Sequence, residues 1–123
     1  MIYGIGIDII DINRIEQAIE KYGERFLNRI FTENEKKYCE SFNDTKFLHY
    51  AARFCAKESF SKAIGTGITQ GFKFKEISVE NIDSGQPFII LDGELKSKWS
   101  SYNIYISLSH TDTTAVAVVI MEK

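Results

Sequence analysis

The sequence predicts an α+β fold in which a long buried helix packs on a mainly antiparallel sheet, and three observations predict it. Helical periodicity concentrates in the first half of the chain and strand-like alternation in the second. Between them, the run Ala51 to Gly67 sets only four charges, Arg53, Lys57, Glu58 and Lys62, among alanine, cysteine, serine and large apolar residues. At about 100° per residue its apolar or small side chains point in nearly every direction, the mark of a buried helix. Finally, 123 residues, 44% hydrophobic and 13% aromatic, show no repeat, linker or low-complexity tract. One domain over residues 1–123 can therefore bury roughly two thirds of its unfolded surface.

The first twelve residues, MIYGIGIDIIDI, read as a strand with Tyr3, Ile5, Ile7 and Ile9 on one face and Gly4, Gly6 and Asp8 on the other. Asn13 with Glu16 makes a capping box, and Ile15, Ile19, Tyr22 and Phe26 recur at helical spacing behind it. Thr32 with Glu35 repeats the signal and starts a short helix through about Cys39. Residues 41–46 form a loop into the long helix, which stops at Gly65. Residues 74–81 and 87–91 read as a hairpin around Asp83 to Gln86, with the single proline at the entrance to its second strand. Asp92 is placed to cap a short helix carrying Leu95 and Trp99, and a second hairpin, 104–110 and 114–121, turns at Thr111 to Thr113.

A net charge of −2 argues against a general nucleic-acid binder, which needs a basic surface. No apolar run approaches the roughly 20 residues of a membrane span, and no basic region precedes an apolar core at the N-terminus. Cys39 and Cys55 share no metal-ligand spacing. Together these features lead us to expect a soluble cytoplasmic protein with reduced thiols.

The charges of the long helix need partners, because desolvating an unpaired ion is costly. Glu58 and Lys62 stand four apart, as either a simple helix contact or part of a site. Arg53 and Lys57 are a like-charged pair at the same spacing, a conflict that a phosphate would resolve. Gly65, Thr66 and Gly67 read first as a C-cap and second as backbone N–H groups for a ligand. Asp8 lies too early to cap a helix that Asn13 or Asp11 can cap, and with Glu58 it would offer the hard oxygen pair that Mg²⁺ accepts. His110 reads as a hydrogen-bonded strand end or as a base, and His49 has less to mark it. Arg14, Lys21 and Arg25 form a basic row beside the apolar stripe of the first helix, either a solvated face or a docking surface for an acidic protein.

GIGIDI followed by Arg14-Ile15, then Arg29-Ile30-Phe31-Thr32 with Glu35, then ARFCAKESFSKAIGTGI, then ISLSHT closely resemble, in that order, the holo-(acyl-carrier-protein) synthase family, the small trimeric 4′-phosphopantetheinyl transferases. The resemblance covers nearly the whole chain. It implies transfer of phosphopantetheine from coenzyme A to a serine of apo acyl carrier protein in fatty acid biosynthesis, releasing adenosine 3′,5′-bisphosphate. It makes Asp8 and Glu58 the Mg²⁺ ligands, Glu58, directly or through a metal-bound water, the base, and Lys62 the group facing the departing phosphate. Arg53, Lys57, Lys62, Gly65, Thr66, Gly67, Ile68, His110 and Thr111 match positions around coenzyme A, and Arg14 matches the position that pairs with an acidic residue of the carrier protein, so that the basic row it forms with Lys21 and Arg25 is the expected carrier-protein dock. It further implies homotrimers with active sites at subunit interfaces, for which the Gly4/Gly6 face and the apolar C-terminal hairpin are available. Relatives often carry more basic residues where this chain has Asp44, Thr45 and Lys46. Two rivals are another Mg²⁺-dependent phosphotransferase or nucleotide hydrolase on the same carboxylates, and a non-enzymatic trimeric binding module.

Overall fold

A computed structural model of the protein describes residues 1–68 and 72–123. Strand β1 (Ile2–Asp11) runs antiparallel to β5 (Thr114–Glu122), which pairs on its other side with β4 (Asn103–His110), giving the order β1-β5-β4. Strands β2 (Ile77–Asn81) and β3 (Pro87–Leu91) form a separate antiparallel hairpin. Helix α4 (Lys46–Ala63) lies across β1 and β5, so the α+β class expected from the sequence holds.

The alternation of β5 explains that packing: Ala115, Ala117, Val119 and Met121 are buried toward the helix layer. On β1 the equivalent face is bare glycine because the backbone of α4 occupies the space. A Cβ on Gly4 would stand 2.0 Å from the Ala63 carbonyl oxygen, and one on Gly6 1.8 Å from that of Ser59. Only glycine permits this approach. The Gly4/Gly6 face is therefore covered by the chain's own helix and is not available to another subunit. The face left open is the opposite one, carrying Tyr3, Ile5, Ile7 and Ile9.

Several helix boundaries differ from the sequence reading. Helix α1 (Ile12–Tyr22) begins one residue before Asn13, with Asp11 at the N-cap position, so Asn13 and Glu16 lie inside the helix and form no capping box. Gly23, at φ 58°, ends α1 and starts α2 (Glu24–Ile30), which moves Arg25 and Phe26 onto a second helix. The box at Thr32 and Glu35 does form at the start of α3 (Glu33–Glu40). Residues 74–76 make a 3₁₀ turn rather than strand. Asp92 sits at the N-cap of α5 (Gly93–Trp99), yet its side chain makes no capping bond; Leu95 N–H donates instead to Glu76 Oε1 at 3.2 Å. No helix is long and apolar enough to cross a membrane among the described residues.

Candidate active site

Because β1 and α4 pack backbone to backbone, Asp8 and the turn of α4 that carries Glu58 and Lys62 meet at the strand's far end. Asp8, Arg14, Phe26, Phe54 and Glu58 line a cleft of about 360 Å³. Lys62 reaches across to Asp8 rather than along its helix to Glu58: its Nζ lies 3.2 Å from Asp8 Oδ1 and donates to the Ile7 carbonyl at 3.0 Å. The carboxylate of Glu58 has no ion pair or hydrogen bond among the described residues. Burial first, and then the charge of Asp8, push its pKa above the usual carboxylate value, while Lys62 and Arg14 pull it back. Two hard oxygen donors in one cleft suit a divalent cation of the Mg²⁺ type, which takes few protein ligands. Among the described residues no group of three or more His, Cys, Asp or Glu side chains that could hold a metal ion occurs.

A second cleft, of about 370 Å³, opens between α4, β4 and the β2–β3 hairpin and includes Arg53, His49, His110, Asn81 and Ser107. Arg53 is only 2% exposed; its Nη2 donates to Asn81 Oδ1 at 2.5 Å and its guanidinium lies 4.1 Å over the Tyr38 ring. Its Nε has no hydrogen-bond partner among the described residues. Buried donors seldom stay unpaired, so the cleft holds spare capacity for an anion. His110 is exposed on the rim, its Nδ1 3.3 Å from the Thr111 carbonyl. The Thr111 hydroxyl accepts from the N–H groups of Thr113 and Thr114, which ties the β4–β5 turn.

A family model for the 4′-phosphopantetheinyl transferase superfamily matches residues 4–119. The chain belongs to this superfamily. It is 42% identical to the holo-[acyl-carrier-protein] synthase of Protochlamydia amoebophila (strain UWE25) over 120 residues, 98% of each chain. Among solved structures, the holo-(acyl-carrier-protein) synthase from Bacillus anthracis str. Ames, in complex with CoA (3′,5′-ADP), is 41% identical with a TM-score of 0.84, covering 99% of this chain and 97% of that one. The enzyme from Neisseria meningitidis is 35% identical with a TM-score of 0.87, both chains being covered completely.

The remaining residues singled out in the sequence take varied places in this transferase. Lys57 enters neither cleft. It is fully buried, and its Nζ donates to Glu35 Oε1 at 2.6 Å, the Ile30 carbonyl at 2.6 Å and the Phe74 carbonyl at 3.1 Å. With all three protons committed and no exposure, it is a structural lysine, which corrects its expected contact with coenzyme A. The like-charge conflict of Arg53 and Lys57 is thus resolved by Glu35, Asn81 and Tyr38. The Gly65 and Gly67 N–H groups and that of Thr66 donate to the Lys62 and Ser61 carbonyls, so they close the end of α4 and are not open to a ligand's phosphate. Ile68 is surface-exposed beyond them. Arg14, Lys21 and Arg25 are all exposed, but the break at Gly23 puts Arg25 on α2, so the row is not a single helical stripe.

Two groups that the sequence reading gave no site role stand at the clefts. Cys55 lies buried beneath Asp8, its thiol pKa raised by burial and then by the Asp8 charge. His49 shares a face of α4 with Arg53 through their four-residue spacing, a signal available from sequence.

Proposed function

We propose that this transferase moves the 4′-phosphopantetheine group of coenzyme A onto a serine hydroxyl of an apo acyl carrier protein, giving the holo carrier protein and adenosine 3′,5′-bisphosphate for fatty acid biosynthesis. The observation that carries this reading is the meeting of Asp8 and Glu58 in one cleft with Lys62 paired to Asp8 beside it, in a chain that matches holo-(acyl-carrier-protein) synthases over nearly their full length. Asp8 and Glu58 would hold Mg²⁺, which when bound supplies charge neutralisation and orientation to the diphosphate.

The serine oxygen forms a bond to the phosphorus that bears pantetheine, and the bond from that phosphorus to the bridging oxygen breaks. The serine proton passes to the Glu58 carboxylate, directly or through a metal-bound water. Lys62 is half-exposed beside Asp8 and offers its ammonium to the phosphate that departs, where charge grows as the bond breaks. Arg53 and His110 are assigned to the phosphates of coenzyme A, in keeping with the spare Nε donor of Arg53. Arg14, at the rim of the catalytic cleft, together with Lys21 and Arg25, presents positive charge to an acidic carrier protein.

The assembly reading is a cytoplasmic homotrimer with active sites at subunit interfaces, supported by the open apolar face of β1, the strand that carries Asp8. Mass spectrometry of apo carrier protein incubated with coenzyme A, Mg²⁺ and this chain should show the phosphopantetheine mass increase, lost on adding EDTA. Nucleotide hydrolysis without modification of the carrier would favour the hydrolase reading, and full activity in EDTA would remove the metal from the mechanism.

A further inference from the structure

His49 takes no part in the steps above, yet α4 places it one turn before Arg53 on the wall of the second cleft, which His110 of β4 also lines. Three side chains able to carry positive charge thus share one cleft, and no carboxylate stands among its described lining residues. The imidazole of His49 is held by aromatic rings: it stacks on Phe42 with centroids 3.9 Å apart and meets Tyr38 edge-on at 5.6 Å. Tyr38 in turn carries the Arg53 guanidinium on its ring. No hydrogen bond to the ring nitrogens of His49 is found among the described residues. A fixed imidazole with free nitrogens, beside a buried guanidinium with a free Nε, is a built recognition element for an anion.

We propose that His49 is a further phosphate-recognition residue of this cleft, accepting a proton as a phosphate dianion enters beside Arg53 and His110. The inference rests on the reading that a phosphate of coenzyme A occupies the cleft. In the free protein, burial first and then the charges of Arg53 and His110 hold the His49 imidazole below its ordinary pKa. A dianion among the three groups reverses the electrostatic balance and favours the imidazolium. The other groups around the ring do not compete for this role. Tyr38 from α3 and Phe42 from the preceding loop pack on it, the hairpin contributes Asn81 and Gln86, and Lys46 at the start of α4 is paired with Glu40 at 3.5 Å. Affinity for a phosphorylated nucleotide should therefore fall as pH rises through the ligand-bound pKa of His49, and a ligand lacking that phosphate should show no such dependence.

The test uses the full chain and adenosine 3′,5′-bisphosphate. NMR titration of the His49 ring, assigned by its loss in His49→Phe, should show its pKa rising by about one unit or more on saturation. His49→Phe keeps the stack on Phe42, and with His49→Gln should bind the bisphosphate about tenfold more weakly. Calorimetry in buffers of different ionisation enthalpy should record less proton uptake for both variants than for the wild type, and His110→Gln should retain the His49 share. An unmoved His49 resonance, or unchanged proton uptake in both variants, overturns the proposal. If Arg53→Gln and His110→Gln leave bisphosphate affinity intact, the placement of phosphate in this cleft fails and the inference falls with it. Weakening in those two variants but not at His49 rejects the inference alone.

Discussion

Glu58 is held in the protein with its charged form disfavoured, by burial and by Asp8. Its pKa is raised above the unfolded value, so the folded state gains relative stability at low pH and loses it as pH rises through the shifted pKa. Glu58→Gln removes the charge and keeps the shape. It should abolish transfer while raising the Tm, more at pH 8 than at pH 5, and thermal melts at the two pH values check the sign; an equal or lower Tm at pH 8 would mean that Glu58 is well solvated. Lys57 is the opposite case. Replacing it with methionine leaves the Glu35 carboxylate, fully buried and among the described residues otherwise served only by the Thr32 and Val79 N–H groups, without its cation. Breaking a buried pair in this way costs about 3–5 kcal/mol. Denaturant unfolding of Lys57→Met should show that loss, with an unchanged KM for coenzyme A in the folded fraction. The sequence showed that the charges of this helix needed ionic partners. It did not show that the partner of Lys57 was a glutamate far away in the chain, since spacing along one helix reports which residues share a face and not what packs against it.

Among the elements, β1 and α4 set the geometry of the site. Their backbones touch at Gly4 and Gly6, and this approach determines how far Asp8 stands from Glu58 and Lys62. Gly6→Ala inserts a methyl group into the Ser59 carbonyl, so the strand and helix must separate. Overpacking of this kind costs about 1–3 kcal/mol or more, and transfer should fall further than stability does because the carboxylates move apart. Melting and activity measured on the same preparation would show it, and a fully active, stable Gly6→Ala would mean that the contact is looser than the structure has it. Local signals were legible at this scale and distant ones were not. The box of Thr32 and Glu35 was readable because both partners lie within one turn. The true cap of α5 was hidden because Glu76 arrives from another element, and the meeting of Asp8 with Glu58 followed from family resemblance rather than from the periodicity of either segment.

At the scale of the whole molecule, the outer face of β1 is the feature without an internal explanation. Ile5, Ile7 and Ile9 are 58%, 61% and 68% exposed, with Tyr105 of β4 on the same sheet, more contiguous apolar surface than isolated exposed residues would make. If this face joins subunits, Ile7→Asp should shift sedimentation from trimer to monomer and reduce transfer sharply while the far-UV spectrum stays unchanged. A wild-type chain that sediments as a monomer would reject the trimer. The pairing of β1 with β5 has another consequence, one of timing. The two strands lie at opposite ends of the sequence, and helix α4 needs both of them to cover its inner side. Contacts of such long range close late and make for slow folding. On the ribosome β1 emerges well before its neighbour, so Asp8 stays adrift through most of translation and the buried side of α4 stays wet. Asp8 and the turn of α4 that bears Glu58 settle against each other only as β5 arrives to flank β1, so the catalytic cleft is among the last parts of the molecule to take shape.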